Sequence, residues 1–159
     1  MGDAVPVVFE VTSVPGEDTE RSVLWTTSGP PDLEEMDEQQ ARRFLEEMMS
    51  DLGADAGYEV RYEDFVMEMP QSGERIRGRK KMREFQGAYP APPAMRLRRV
   101  VVREGLWVAE VVSDYGWQAV HYVSIMELKD GKMWRDLRYY AEPFEAPEWR
   151  AQWVEHLDP

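Results

Sequence analysis

Few side chains in this 159-residue chain can move a proton near neutral pH: there are two histidines, His121 and His156, and no cysteine. His121 is the better placed of the two. Three X-Gly pairs, Glu104-Gly105, Tyr115-Gly116 and Asp130-Gly131, separate β-prone segments at 95–103, 106–114, 118–128 and 133–141. Such pairs signal two-residue hairpins. Tight turns fix register, so facing residues are expected to sum to 209, 231 and 261 across the three turns. Arg99 then stands opposite Glu110, Glu110 opposite His121, and His121 opposite Tyr140. In this polar row His121 would act as acid or base, Glu110 would tune it, Tyr140 would donate and Arg99 would pair with Glu110. The neighbouring rows, Val101-Val108-Val123-Arg138 and Arg103-Leu106-Ile125-Asp136, carry apolar members that turn this face inward. A polar site at the base of an apolar cavity is one reading; a structural ion-pair network, or a face covered by a dimer partner, is the other.

The elements that must position these residues follow from pattern. Val5, Val7, Phe9 and Val11 alternate as a strand, and 23–27 is a second short strand. Ser28-Gly29-Pro30-Pro31 breaks the chain. Asp32 with Glu35 has the form of a capping box, predicting a helix to about Leu52 with Ala41, Phe44, Leu45, Met48 and Leu52 on one face. A strand over 62–69, a loop at Pro70-Gln71-Ser72-Gly73 and a helix around 78–88 lead into the four-strand meander. Pro147 opens a last helix that stacks Trp149, Trp153 and Leu157 and anchors to the sheet. The class is α+β. Residues 1–30 read as an N-terminal extension, a candidate β-hairpin, and 31–159 as one domain.

Composition excludes several functions. The chain can bury ~70% of its unfolded surface. Its net charge is -12, divided into -15 over residues 1–74, +9 over 75–103 and -6 over 104–159. That acidity argues against nucleic acid, and the basic middle is expected to fold against its acidic neighbours. Without cysteine there is no disulfide framework or thiol nucleophile, and two histidines 35 positions apart make no zinc site. Gly73 to Lys80 has the outline of a phosphate loop, but Arg79 and Lys80 stand where Lys and Ser or Thr are required. The first basic residue is Arg21 and no apolar run approaches ~20 residues, so a cytoplasmic protein with no membrane partner is expected.

The run Glu68-Met69-Pro70-Gln71-Ser72-Gly73-Glu74-Arg75-Ile76-Arg77-Gly78-Arg79 resembles the characteristic segment of SnoaL-like proteins in the nuclear-transport-factor-like superfamily. So do Leu97 to Val101, Leu106 to Glu110, Asp130-Gly131-Lys132 and the tail Tyr140 to Ala151, the likeness covering about 36–157. The resemblance implies a curved antiparallel sheet wrapped around N-terminal helices, a cone with a mostly apolar pocket, and a homodimer through the sheet's outer face. It spans polyketide cyclases, steroid isomerases, epoxide hydrolases and non-enzymatic binding modules, so fold does not fix chemistry. Where cyclases and epoxide hydrolases of this type carry an acidic residue, this chain has Arg138; where steroid isomerases place their base, it has Met69. Glu68 matches a water-holding position of the epoxide hydrolases.

The expectation is therefore a protein that binds a small, mostly apolar ligand with a carbonyl, hydroxyl or carboxylate end, with no cofactor and no metal. Arg138, Arg99, Glu110, Tyr140 and Val123 are the candidate ligand contacts. The alternatives are a cofactor-free acid–base enzyme using His121, Glu68 or Asp136, or a dimerisation module with a vestigial pocket. Asp136 and Arg138, at i and i+2, are also expected to pair with each other.

Overall fold

The computed structural model describes residues 29–50 and 55–157. The candidate strands at 5–12 and 23–27, and the end of the first helix at Leu52, lie outside the described residues. Asp32 caps a short 3-10 turn, Leu33–Glu35, by accepting from Glu34 N. The chain is extended at Met36, and helix α1 (Glu38–Ser50) begins afresh. Its capping box is Asp37 with Gln40, each side chain accepting from the other's backbone N–H at 2.8 and 3.0 Å. The predicted box at Asp32 thus caps a separate turn. Ala41, Phe44 and Leu45 are buried on the predicted face.

A five-residue helix α2 (Asp55–Glu59) leads to β1 (Arg61–Met69), then β2 (Glu74–Arg77), α3 (Arg79–Gly87), β3 (Ala94–Arg103), β4 (Leu106–Asp114), β5 (Ala119–Lys129) and β6 (Lys132–Ala141). The sheet order is β2-β1-β6-β5-β4-β3. The meander is antiparallel as predicted, but β1 runs parallel to β6, so the sheet is mixed. Hairpin signals name only sequence neighbours, and the partner of β1 lies more than 60 residues away in Met133, Asp136 and Leu137. The short edge strand β2 was not foreseen; it pairs antiparallel with β1 across the Pro70–Gly73 loop.

Register departs from tight-hairpin arithmetic in three places. Between β3 and β4 the sum of 209 holds from Arg103 back to Arg99, and then an extra residue, Arg98, bulges. Between β4 and β5 the link is the four residues Tyr115–Gln118, closed by Tyr115 N donating to Gln118 O at 2.9 Å, and the register shifts by two. Between β5 and β6, Asp130 (φ 50°) and Gly131 (φ 76°) form a tight turn with both central residues left-handed. Lys129 then faces Lys132, but Trp134 is an extra residue and every later pair is displaced by one.

A shift of one exchanges the faces of a strand. Tyr140 therefore faces Tyr122, Arg138 faces Ser124 and Asp136 faces Met126, while His121 faces Ala141 and Val112. The predicted row Arg99-Glu110-His121-Tyr140 is corrected: only its Arg99–Glu110 step forms. The buried core lies on the other face, where Leu97, Val100, Trp107, Ala109, Val111, Tyr122 and Met126 join one cluster with Ala41, Phe44 and Leu45 of α1. Phe44 packs edge-on against Trp107, ring centroids 6.0 Å apart. The tail carries a 3-10 turn, Glu148–Trp153, rather than a sheet-anchored helix. Trp149 and Trp153 touch each other and remain 71% and 70% exposed.

Candidate functional site

The concave face of the sheet, α1 and α3 enclose a cavity of about 80 Å³. Cavities of that order take a few waters or a ligand of a handful of heavy atoms. Met48 and Met49 come from α1, Met95 from β3, Met126 from β5 and Met133 from β6. Unbranched thioether side chains repack easily, so a methionine wall adapts to its occupant. Tyr89, Tyr115, Tyr122 and Tyr140 add rings and hydroxyls, with Tyr122 and Tyr140 at 5.4 Å between centroids.

At the polar end, Ser124 Oγ donates to Asp136 Oδ1 at 2.5 Å, and Arg138 Nε donates to Asp136 Oδ2 at 2.8 Å. Asp136 is 3% exposed. Both partners exist because of the β6 bulge, which turns Asp136 and Arg138 inward and sets Arg138 opposite Ser124. Burial works against the Arg138 charge, but Asp136, with Tyr122 and Tyr140 adding, holds its pKa above the ordinary arginine value. The guanidinium also lies 5.8 Å from the Tyr122 ring centroid. Burial pushes the Tyr122 hydroxyl up to about 12, Arg138 opposing and Asp136 reinforcing. Burial and a hydrogen bond with Tyr89 push Tyr115 to about 12 as well. Both hydroxyls are protonated at neutral pH and serve as donors rather than bases.

A second arginine lines the cavity. Arg61 opens β1, is 2% exposed, and donates from Nη1 to Gln86 Oε1 at 3.1 Å. Its guanidinium lies 5.2 Å from the Phe65 ring centroid and against Gly57, where an added Cβ would stand 3.1 Å from Nη1. Burial, then the neighbouring Arg138 charge, lower its pKa to about 10, with Asp136 opposing, so it stays cationic at neutral pH.

Of the residues singled out from sequence, the structure brings Asp136, Arg138 and Tyr140 into the cavity wall. It sets the others on the outer face. Glu110 meets Arg99 at 3.4 Å and the bulged Arg98 at 4.0 Å. Glu68 meets Arg135 at 3.3 Å, and Arg135 meets Glu127 at 3.8 Å. Val123 sits between Glu110 and Tyr139, and His121 is exposed. Ser124, Tyr122 and Arg61 were missed. Correct register would have found the first two, since they face Arg138 and Tyr140; nothing in the pattern around Arg61 marks a buried charge. Among the described residues, no cluster of His, Asp and Glu has metal-binding geometry, and no helix is long and apolar enough to cross a membrane.

No family model matches the chain, and no curated protein does. Solved structures do. An NTF-2 like protein of unknown function from Burkholderia xenovorans LB400 is 32% identical, with a TM-score of 0.66 over 76% of this chain and 94% of that one. A proposed ketosteroid isomerase from Kribbella flavida is 26% identical, with a TM-score of 0.66 over 77% of this chain and 93% of that one. An LEH-like epoxide hydrolase from M. tuberculosis shares the fold at 17% identity, with a TM-score of 0.51 over 63% of this chain and 78% of that one. With nearly the whole length of the Burkholderia protein matched on a cone of the same design, the chain belongs to the NTF2-like superfamily.

Proposed function

We propose that the protein binds a small, mostly apolar molecule whose carbonyl, hydroxyl or carboxylate end meets the polar floor of the cavity. The observation that carries this reading is the Ser124–Asp136–Arg138 chain, buried at Ser124 and Asp136, at the end of a methionine- and tyrosine-lined space. The retained cavity supports this reading over a vestigial cone filled by its own side chains. The test is a fragment screen by ligand-observed NMR on the wild type and on Ala109→Leu, which thrusts a larger side chain into the cavity wall. Fragments should bind the wild type and be lost in the variant. Fragments that bind both equally would place the site elsewhere.

A second reading is favoured by one feature: the Asp136 carboxylate borders the cavity beside two arginines and two tyrosines. In a cofactor-free isomerase, cyclase or hydrolase it would accept the proton, and Arg138 or Tyr140 would stabilise an enolate-like oxyanion. The likeness to the proposed isomerase from Kribbella flavida supports that class. Because two donors already hold Asp136, an incoming proton must compete with them. If this reading is right, isomerisation of a β,γ-unsaturated ketone, followed by ultraviolet absorbance, falls by ~10²-fold or more in Asp136→Asn. Turnover unchanged by that substitution would remove Asp136 as the base. Cytoplasmic residence and a homodimer through the outer face complete the proposal, the dimer supported by half-buried Val101, Val108, Val123 and Ile125 and by exposed Tyr139 on that face.

A further inference from the structure

The cavity carries an unbalanced charge. Its ionised lining residues are Arg61, Asp136 and Arg138, a net of one positive charge. Asp136 is committed to Arg138 through a direct hydrogen bond, at 2.8 Å. Among the described residues Arg61 hydrogen-bonds through its side chain only to a neutral partner, the Gln86 amide oxygen, and its buried Nε–H donates to nothing; the Asp136 charge acts on it without a hydrogen bond. Burying a cation without a counter-charge is costly, and a lone buried guanidinium with a free N–H is an unfinished ion pair. Gly57 leaves the space that the guanidinium occupies, since a Cβ there would crowd Nη1 at 3.1 Å.

We propose that the cavity takes a small monocarboxylate with an apolar body, and that Arg61, rather than Arg138, holds the carboxylate. The inference rests on the pocket reading above and narrows it to one ligand class. The Nε edge of a guanidinium offers two parallel N–H groups, a geometry that matches the two oxygens of a carboxylate. One negative charge neutralises the cavity; a phosphate dianion would overshoot it. The space of about 80 Å³ suits a compact acid. Nε has no water-accessible surface of its own, so the carboxylate reaches it by displacing methionine side chains, and Met48 stands beside this corner of the cavity. The apolar body then lies among Met95, Met126, Tyr122 and Tyr140, on the side of the cavity where Asp136 already neutralises Arg138.

The test compares benzoate, benzamide and benzylamine, which share one body and differ in charge, by calorimetric titration at low ionic strength. Benzoate should bind the wild type at least about tenfold more tightly than benzamide, and benzylamine should not bind. Arg61→Met should remove most of the preference for benzoate while leaving benzamide within about twofold. Replacing a buried charge by an apolar side chain of similar length usually preserves the fold. Gln86→Glu supplies the missing counter-charge internally; it should raise the melting temperature and abolish benzoate binding. Equal binding of benzoate and benzamide, unaffected by Arg61→Met, would overturn the carboxylate assignment and leave the pocket intact. Binding by none of the three would overturn both. Chloride that stabilises the wild type as strongly as benzoate would also overturn the assignment, because a simple ion site would then suffice.

Discussion

Asp136 holds a partly buried arginine directly and moderates the field at a fully buried one, so truncating it should be costly. Asp136→Ala leaves Arg138, whose side chain is 18% exposed, without its carboxylate and should cost about 2–3 kcal/mol in urea unfolding, whereas Ser124→Ala, which removes one donor of two, should cost about 1–2 kcal/mol. Tyr122 gives a pH signature. Its hydroxyl is raised to about 12 in the fold, so the folded state keeps that proton where the unfolded chain, near 10, has lost it. Its contribution is fully present below pH 10 and is lost as pH rises toward 12, by roughly 2–3 kcal/mol. Tyr122→Phe lacks that term, so the stability gap between wild type and variant should move in the variant's favour across pH 10–12; a constant gap would refute it. At this scale the sequence was partly legible. Asp136 and Arg138 two apart on one strand announce their own pairing. Arg61 announces nothing, because its burial is decided by Gly57, Gln86 and Phe65, which only the tertiary fold assembles.

The elements show where local pattern suffices. The hairpin signals found β3 to β6 almost to the residue, because alternation and X-Gly turns are local properties. They did not find β2 or the parallel β1–β6 pairing, which depend on distant partners. The true capping box, Asp37 with Gln40, was overshadowed by Asp32 and Glu35 five residues earlier. Asp37→Ala should cost about 1 kcal/mol, read as lost helicity by circular dichroism and a lower melting temperature. Two turn glycines allow a finer comparison. Gly116 (φ 85°) has nothing near its missing Cβ, so Gly116→Ala should cost only the left-handed strain, about 1–2 kcal/mol. Gly131 has similar strain, but its Cβ would also meet Asp32 Oδ1 at 2.7 Å. That oxygen caps the Leu33–Glu35 turn, and Gly131 N donates to Glu34. Gly131→Ala should therefore destabilise more than Gly116→Ala in the same denaturation assay.

Across the whole molecule, the charge segmentation folds into surface pairing. Arg98 and Arg99 of the basic stretch meet Glu110 on the outer face, and Arg42 donates to the carbonyls of Leu97 and Arg98 where α1 crosses β3. The tail contributes little to the monomer. Residues 148–157 are almost wholly exposed, so deleting them should change unfolding free energy by less than about 1 kcal/mol. A larger loss, accompanied by a fall in sedimentation coefficient, would mean that the tail holds a second copy. The β6 bulge at Trp134 reaches furthest. It sets the reading frame of the strand that follows: with Trp134 bulged out of the ladder, Asp136, Arg138 and Tyr140 are read into the cavity and Leu137 and Tyr139 out of it. Were Trp134 to pair with Glu127 instead of bulging, the two sets would swap at once, and Leu137 and Tyr139 would replace the Asp136–Arg138 pair without a single substitution. In this fold, whether one residue at a strand's entrance pairs or bulges decides ligand chemistry more thoroughly than a point mutation inside the pocket.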